Sequence, residues 1–225
     1  MGIFDRFKKA VKGKPAEDKV TVNISEPTIT TSDEDSITPI SEYIKTAIPS
    51  SNGLYPHEIL LLHSAPSYYI GDNKYQGFWW CKYGIENVGT ILDSLMDRAY
   101  VQQGDLKEAL EKETVKSLPS ALSTFNLFVS GKKADLIQRL LDEAPIDKLE
   151  AVFTKRTYAL TELGQGELEK ESYIVYIHNN NYGYLNIWSL NKLMYDGKRR
   201  PYRDSIWSYL SDKSMEKFNA KSFHE

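Results

Sequence analysis

A string of small and basic residues in the middle of this 225-residue chain has the chemistry that binds a phosphate group. The string is Ser130-Gly131-Lys132-Lys133, and it stands directly before a segment with helical periodicity. Gly131 lets a backbone approach closely, and the start of a helix presents free N–H groups at the positive end of its dipole. Lys132 and Lys133 add two positive charges at the same point, so the string is suited to an anion.

A second string, near the C-terminus, combines basic side chains with aromatic ones. Basic residues among rings can hold a nucleic-acid backbone and stack on exposed bases. A solvated basic loop between two helices is an equally good interpretation. If the string does bind, it would strengthen a weak contact elsewhere on the chain into a contact at two points. The residues are Lys198, Arg199, Arg200, Pro201, Tyr202 and Arg203, with Tyr195, Trp207 and Tyr209 close by in sequence.

Other kinds of site have little support in the sequence. His57 and His63 are six residues apart, which does not suit two metal ligands on one helix face, and Cys81 is the single cysteine. Gly164 and Gly166 lack the preceding strand and the lysine of a phosphate loop. We therefore expect no catalytic residues, no metal and no cofactor. An enzyme with a site in the aromatic region 68–83 remains an alternative, because catalytic residues often meet only in three dimensions.

The elements that must position the first string are two short helices. Each has apolar residues on one face, and helices this short need to pack on each other to be stable. Ser117 is expected to cap the first helix, and Leu127 to Val129 to form an extended link to the second. The two apolar faces are Leu118, Ala121, Leu122 and Phe125 in the first helix and Leu136, Ile137, Leu140 and Leu141 in the second.

This layout, from Thr114 to Glu143, resembles the SAP family, a DNA-binding motif built as helix, extended linker and helix. The resemblance implies that the segment contacts the backbone of double-stranded DNA with low sequence specificity. It covers about a seventh of the chain. The residues that carry it are Leu118, Leu122, Leu127, Ser130-Gly131-Lys132-Lys133, Asp135-Leu136-Ile137 and Arg139-Leu140.

The resemblance also implies which side chains would contact DNA. Gly131, Lys132 and Lys133 would contact phosphates, and Ser117 and Ser120 would reach a backbone oxygen or a groove edge. Ser130 and Arg139 complete this set. The family often places basic residues on the first helix, and none stands there. Four basic residues against three acids leave the segment with a net charge of only +1, so docking on a protein without any DNA role is the main alternative.

The flanking sequence predicts an α+β body that is mainly helical, with short strands. Tyr158 to Leu160 is predicted to be a strand, followed by a helix that Thr161 caps, and Tyr173 to His178 alternates like a further strand. Together with the helix that Asn87 is expected to cap, this pattern is weakly similar to winged-helix proteins. A last helix is expected to be capped by Asp204.

The sequence divides into four predicted parts around the SAP-like segment. They are 1–50, a basic segment and acidic linker; 51–112, helical; 113–147, SAP-like; and 148–225, α+β. Two further helices lie at the edges of the SAP-like part. Asp105 and Glu108 form a capping-box pattern for the first, and a second opens at Pro145. In the second, Ile146, Leu149, Val152 and Phe153 are expected to face the core.

Composition sets limits on the partners. The net charge of −3 gives no overall basic bias, so nucleic-acid binding must come from local patches. No run of residues is long and apolar enough to span a bilayer, and we expect a cytoplasmic protein similar to small proteins of phages and mobile elements. The expected partner is double-stranded DNA, with a protein partner as the alternative.

Overall fold

The fold is described by a computed structural model for residues 37–180, 182–183, 185–195 and 200–222, with side chains as far as Asn219. The described part of the chain is mainly helical with one small antiparallel sheet, which confirms the predicted fold class. The elements of the body are α1 (Ile40–Ile44), α2 (Pro56–Ser64), α3 (Phe78–Tyr83), α4 (Val88–Asp97), β1 (Val101–Gln103), β2 (Tyr158–Leu160), α9 (Glu162–Lys170), α10 (Tyr173–Asn179), α11 (Ile187–Met194) and α12 (Tyr202–Ser222). Between β1 and β2 lie α5 (Leu106–Lys112), α6 (Ser117–Thr124), α7 (Lys133–Glu143) and α8 (Ile146–Val152).

Helix α2 is the centre of the body. Pro56 stands in its first turn, where a missing N–H costs nothing, and the Glu58 carboxylate accepts a hydrogen bond from the Tyr55 amide at 2.8 Å. Every residue from Pro56 to Leu62 is buried, because α4, α9, α10 and α11 all pack around this helix. A helix that is apolar around most of its circumference is stable only when its neighbours cover it in this way.

The small sheet joins the two parts of the body that flank the insert. Strand β1 pairs with β2, with Val101 opposite Leu160 and Gln103 opposite Tyr158. The Thr161 hydroxyl then accepts from the Gly164 amide at 3.1 Å and so caps α9, as its position in the sequence predicts. The four helices between the strands are therefore an insertion. The chain leaves the body after β1 and returns to it at β2, the paired strand beside it.

The insert has its own apolar core. Leu118 and Leu122 of α6 are fully buried against Leu136 and Leu140 of α7, as their spacing predicts. Leu110 of α5 and Leu149 of α8 belong to the same cluster. The predicted pair of helices is thus one half of a four-helix unit, and the two added helices cover the apolar surface that a pair alone would expose.

Three local predictions outside the insert are wrong. Residues 173–178 form the helix α10 rather than a strand, because Tyr173, Ile174 and Ile177 make one buried face against α2 and α11. Helix α12 begins at Tyr202, so Asp204 lies within its first turn and does not cap it. Residues 40–50, which the sequence places in the linker, pack on the body, where Tyr43 stacks on Trp188 with ring centroids 4.9 Å apart. The rest of the predicted linker, up to residue 36, lies outside the described residues.

Candidate nucleic-acid interface

The first candidate site is the start of α7, where the chain leaves the extended linker of the insert. Gly131 has φ of +145°, a conformation that favours glycine, and Lys132 is the extended residue directly before the helix. The amides of Lys133, Ala134 and Asp135 have no acceptor among the described residues. Lys132 is exposed beside them. Three open N–H groups and one exposed lysine are therefore together, as the phosphate hypothesis requires.

The Asp135 carboxylate also lies at the start of α7. Asp135, in the first turn of α7, accepts a hydrogen bond from the Lys132 amide at 3.2 Å through its carboxylate. This contact closes a capping interaction and uses the Lys132 amide, which is then not available to an anion. A carboxylate next to the open amides also reduces their attraction for an anion. The candidate site is therefore smaller than the sequence indicates.

Two of the predicted DNA contacts are already used by the protein. The Lys133 ammonium donates a hydrogen bond to the backbone carbonyl of Glu111 in α5, and its side chain is half-buried. The Arg139 guanidinium donates to the carbonyl oxygens of Phe128, at 2.6 Å, and Ser130, at 3.3 Å, and lies over the Phe128 ring at 5.3 Å. Both basic side chains hold the insert together, so Lys132 is the basic residue of the string that remains open.

Arg139 ties the linker of the insert to α7. We expect Arg139→Ala to loosen the linker and to lower the free energy of unfolding by about 1 kcal/mol, because two hydrogen bonds to carbonyl groups are lost. Amide hydrogen exchange in residues 126–131 should become faster. If the guanidinium contacted a phosphate instead, the variant would lower the salt dependence of duplex binding and leave exchange in the linker unchanged.

The serines of the prediction have different surroundings. Ser117 is the first residue of α6 and does not cap it; its hydroxyl contacts the Glu113 carboxylate at 2.7 Å and the Thr114 carbonyl at 2.9 Å. Ser120 and Ser130 are exposed. The hydroxyl of Ser117 is therefore already engaged by a neighbouring acid, whereas Ser120 and Ser130 are accessible to a ligand.

The insert also carries exposed apolar side chains. Phe128 and Val129, in the linker, have 69% and 41% of their surface exposed. The expectation that Ile146 and Val152 face the core is wrong, because they lie on the outer side of α8, where only Leu149 is buried. Val115 is exposed as well. Of these, Phe128 and Val129 are neighbours in the chain, and adjacent exposed apolar side chains are a feature of surfaces that contact another protein.

The second candidate site lies at the start of α12. Lys198 and Arg199 lie outside the described residues, so the structure places only Arg200 and Arg203 of the basic string. Arg200 is exposed, with a guanidinium nitrogen 3.5 Å from the Ser208 hydroxyl. The Arg203 guanidinium lies against the Tyr176 and Tyr202 rings, at 5.6 and 5.9 Å from their centroids. The sequence does not predict Tyr176 at this place, because its segment has the pattern of a strand and forms a helix.

The aromatic region 68–83, where an enzyme site was considered, has three buried rings, those of Tyr68, Trp79 and Tyr83, and its other residues are half-buried or exposed. The Trp79 indole donates to the Tyr68 hydroxyl at 2.8 Å, and the Tyr83 hydroxyl contacts the His178 ring nitrogen Nδ1 at 2.6 Å. Burial raises the pKa of Tyr83 well above its ordinary value. These contacts are structural, since Tyr68, Trp79 and Tyr83 are buried and their polar groups already have partners within the protein.

Two further kinds of feature are absent from the part of the chain that the structure describes. It contains no group of three or more His, Cys, Asp or Glu side chains that could hold a metal ion. Among the same residues, no helix has both the length and the apolar character needed to cross a membrane.

Comparison with models of known protein families, with curated proteins and with solved structures finds no match to this chain.

Proposed function

We propose that this chain binds the backbone of double-stranded DNA at the start of α7. The observation that carries the proposal is the group of three amides, of Lys133, Ala134 and Asp135, that have no acceptor among the described residues and lie beside the exposed Lys132. Such a group suits one phosphate, through the amides and the helix dipole, with the ammonium as a second contact. The arrangement of helix, linker and helix around it is the one that the resemblance to the SAP family implies.

We expect the affinity for duplex DNA to be low. Lys133 and Arg139 serve the insert itself, and Asp135 brings a negative charge to the site. Contacts limited to one or two phosphates give weak binding that depends little on base sequence and modestly on salt, with a slope of about −0.9 in log K against log salt for each phosphate neutralised. Strong binding would need a further contact elsewhere on the chain.

The test is the single substitution Lys132→Glu. We expect about tenfold weaker binding to a short DNA duplex, because a charge-assisted contact is lost and a negative charge faces the phosphate. The slope of log K against log salt should become smaller in magnitude by about 0.9. Fluorescence anisotropy of a labelled duplex, titrated with the full chain at several salt concentrations, measures both quantities.

Lys148→Glu is the matched control. Lys148 is an exposed lysine in the first turn of α8, on the same four-helix unit, and the substitution makes the same change in net charge. Equal effects of the two substitutions would show that only the overall charge matters, and would contradict a site at α7. Lys133→Glu is a poorer test, because it also removes the hydrogen bond to Glu111.

A protein-docking function is the second candidate, and the exposed Phe128 and Val129 favour it. Both lie in the linker directly before the glycine string, where an extended backbone can present them together. If Lys132→Glu leaves duplex binding unchanged while Phe128→Ser abolishes association with another protein, the insert is a docking unit.

A further inference from the structure

A groove along α12 is lined by aromatic rings and an arginine. It encloses about 370 Å³ between Tyr176, Tyr182, Arg203 and Trp207, with Ile206 and Leu210 beneath them. A second hollow, of about 400 Å³, continues from it and shares Tyr182 and Leu210. This second part adds the Tyr209 ring and the basic residues Lys213 and Lys217. From Arg203 to Lys217 the helix rises about 21 Å, so the two hollows form one elongated groove.

The rings of this groove are held in place by contacts with each other. The Tyr176 and Tyr182 hydroxyls are 2.8 Å apart, and their ring planes are inclined by 23°. This hydrogen bond is the main cause that raises the pKa of the Tyr182 hydroxyl. Arg203 lies over the Tyr176 ring at 5.6 Å. The two tyrosine rings therefore support each other and the guanidinium on one side of the groove, which reduces the conformational entropy lost when a ligand enters.

Trp207 is the exposed member of the group. With 73% of its surface exposed, it is the most accessible of the large apolar side chains in the described part of the chain. The exposed ring offers a flat apolar face that a planar ligand can cover, which would remove apolar surface from water. Arg203, which lines the same groove, adds a guanidinium that suits a phosphate. A nucleotide has both properties, since its base is planar and its phosphate is an anion.

We propose that this groove binds unpaired bases of a single-stranded nucleic acid. Trp207 stacks on a base, Arg203 contacts the adjacent phosphate, and the strand continues along α12 toward Lys217. Bases in a duplex are stacked on their neighbours and do not present a face to a protein ring, so a single strand or a frayed end is the ligand that fits. This proposal does not rest on the site at α7, because it concerns different residues and a different form of nucleic acid.

The experiment compares Trp207→Ala with Phe218→Ala in the full chain. Phe218 is a similarly exposed aromatic residue, at 69%, eleven positions further along the same helix, and it does not line the groove. The ligand is a fluorescent oligothymidylate. We expect Trp207→Ala to weaken its binding by about 5- to 150-fold, the loss of one stacked base, and Phe218→Ala to change it by less than about twofold.

A second ligand separates stacking from charge. An oligonucleotide with the same backbone but without bases should bind equally to the wild-type chain and to Trp207→Ala, since no base is present to stack. Arg203→Gln should weaken both ligands and reduce the salt slope by about 0.7, the value for one phosphate of a single strand.

Three results would overturn the proposal. They are equal losses for Trp207→Ala and Phe218→Ala, unchanged oligothymidylate binding in Trp207→Ala, or binding of the base-free strand as tight as that of oligothymidylate. Each would show that the exposed ring does not hold a base. Because Lys132→Glu is measured on a duplex and Trp207→Ala on a single strand, failure of one proposal is distinguishable from failure of the other.

Discussion

Replacing Gly164 with alanine is expected to destabilise the protein by about 3 kcal/mol or more, although alanine is the better helix former. Gly164 lies in the first turn of α9, against the backbone of Tyr100. A Cβ atom there would stand 2.0 Å from the Tyr100 carbonyl oxygen and 3.1 Å from its carbon. Overpacking costs about 1–3 kcal/mol when side chains can move aside. The obstacle here is the backbone of Tyr100, directly before β1, which moves less readily than a side chain. The gain in helix propensity, at most about 1 kcal/mol, does not offset this.

Gly166→Ala is the control in the same helix. A Cβ atom at Gly166 meets nothing within 4 Å, so the substitution should stabilise the protein by a few tenths of a kcal/mol to about 1 kcal/mol. Urea unfolding of the two variants and of the wild-type chain measures the difference. If Gly164→Ala were as stable as Gly166→Ala, the close approach of α9 to Tyr100, directly before β1, would not exist in solution.

The stability of the protein is expected to fall by about 2 kcal/mol between pH 6.5 and pH 5 because of one histidine. His57 is 4% exposed in the centre of the body, close to the rings of Tyr55 and Trp188. Burial, and to a lesser extent the positive charge of Arg98, lowers the pKa of His57 from 6.5 to about 3. Its Nδ1 atom has no hydrogen-bond partner among the described residues. The folded protein therefore keeps this ring neutral in mildly acidic solution.

The direction of the effect follows from proton binding. Between pH 6.5 and pH 3 the unfolded chain binds a proton at His57 and the folded protein does not, so each pH unit of acidification favours the unfolded chain by about 1.4 kcal/mol. Well above pH 6.5 both forms are neutral and the histidine adds no pH dependence. The full loss, reached below pH 3, is about 5 kcal/mol.

His57→Gln isolates this contribution. The variant is expected to be less stable than the wild-type chain at neutral pH, because glutamine fills the space beside two rings poorly. The difference between the two proteins should then shrink by about 2 kcal/mol when the pH falls from 6.5 to 5, since glutamine does not titrate. Urea unfolding at several pH values measures it. Parallel stability curves for the two proteins would mean that His57 is accessible to protons in the folded state.

The local rules of the sequence predict much of the fold. Asn87 accepts from the Thr90 amide at 3.1 Å, and Asp105 and Glu108 form the expected reciprocal cap of α5. Both depend on residues that are neighbours in the chain, so their chemistry is visible in the sequence. The strand predicted over Tyr158 to Leu160 is confirmed as well, although its partner β1 lies far away in the chain.

Contacts between distant residues are not predictable in the same way. The segment Tyr173 to Asn179 has the β-branched and aromatic residues of a strand, and tertiary packing against α2 makes it a helix. Helices α5 and α8 are each recognisable in the sequence, but their shared core with α6 and α7 depends on how the chain folds back. Local pattern gives the type of an element, and packing decides its neighbours and sometimes overrides the pattern.

In the candidate site, too, the sequence predicts the local features and misses the contacts between distant residues. The sequence places Gly131 and Lys132 before a helix, and the structure has them there, with Lys132 exposed. The sequence does not show that the Lys133 ammonium is bound by a carbonyl of α5 or that Arg139 holds the linker. In both cases the partner lies elsewhere in the chain. The groove on α12 depends on rings of α10 and the loop after it, which approach Trp207 only in the folded protein. A basic string in a sequence is therefore a weak guide to which of its charges are free.

The open amides at the start of α7 are the centre of the functional proposal, and NMR titration of the ¹⁵N-labelled full chain with a short DNA duplex observes them directly. We expect the amide resonances of Lys133, Ala134 and Asp135 to shift at the lowest duplex concentrations, and to shift less as salt is raised. The amide resonances of α8, in the same four-helix unit, should not shift. Unshifted resonances at Lys133 to Asp135, with changes confined to other residues, would contradict the account.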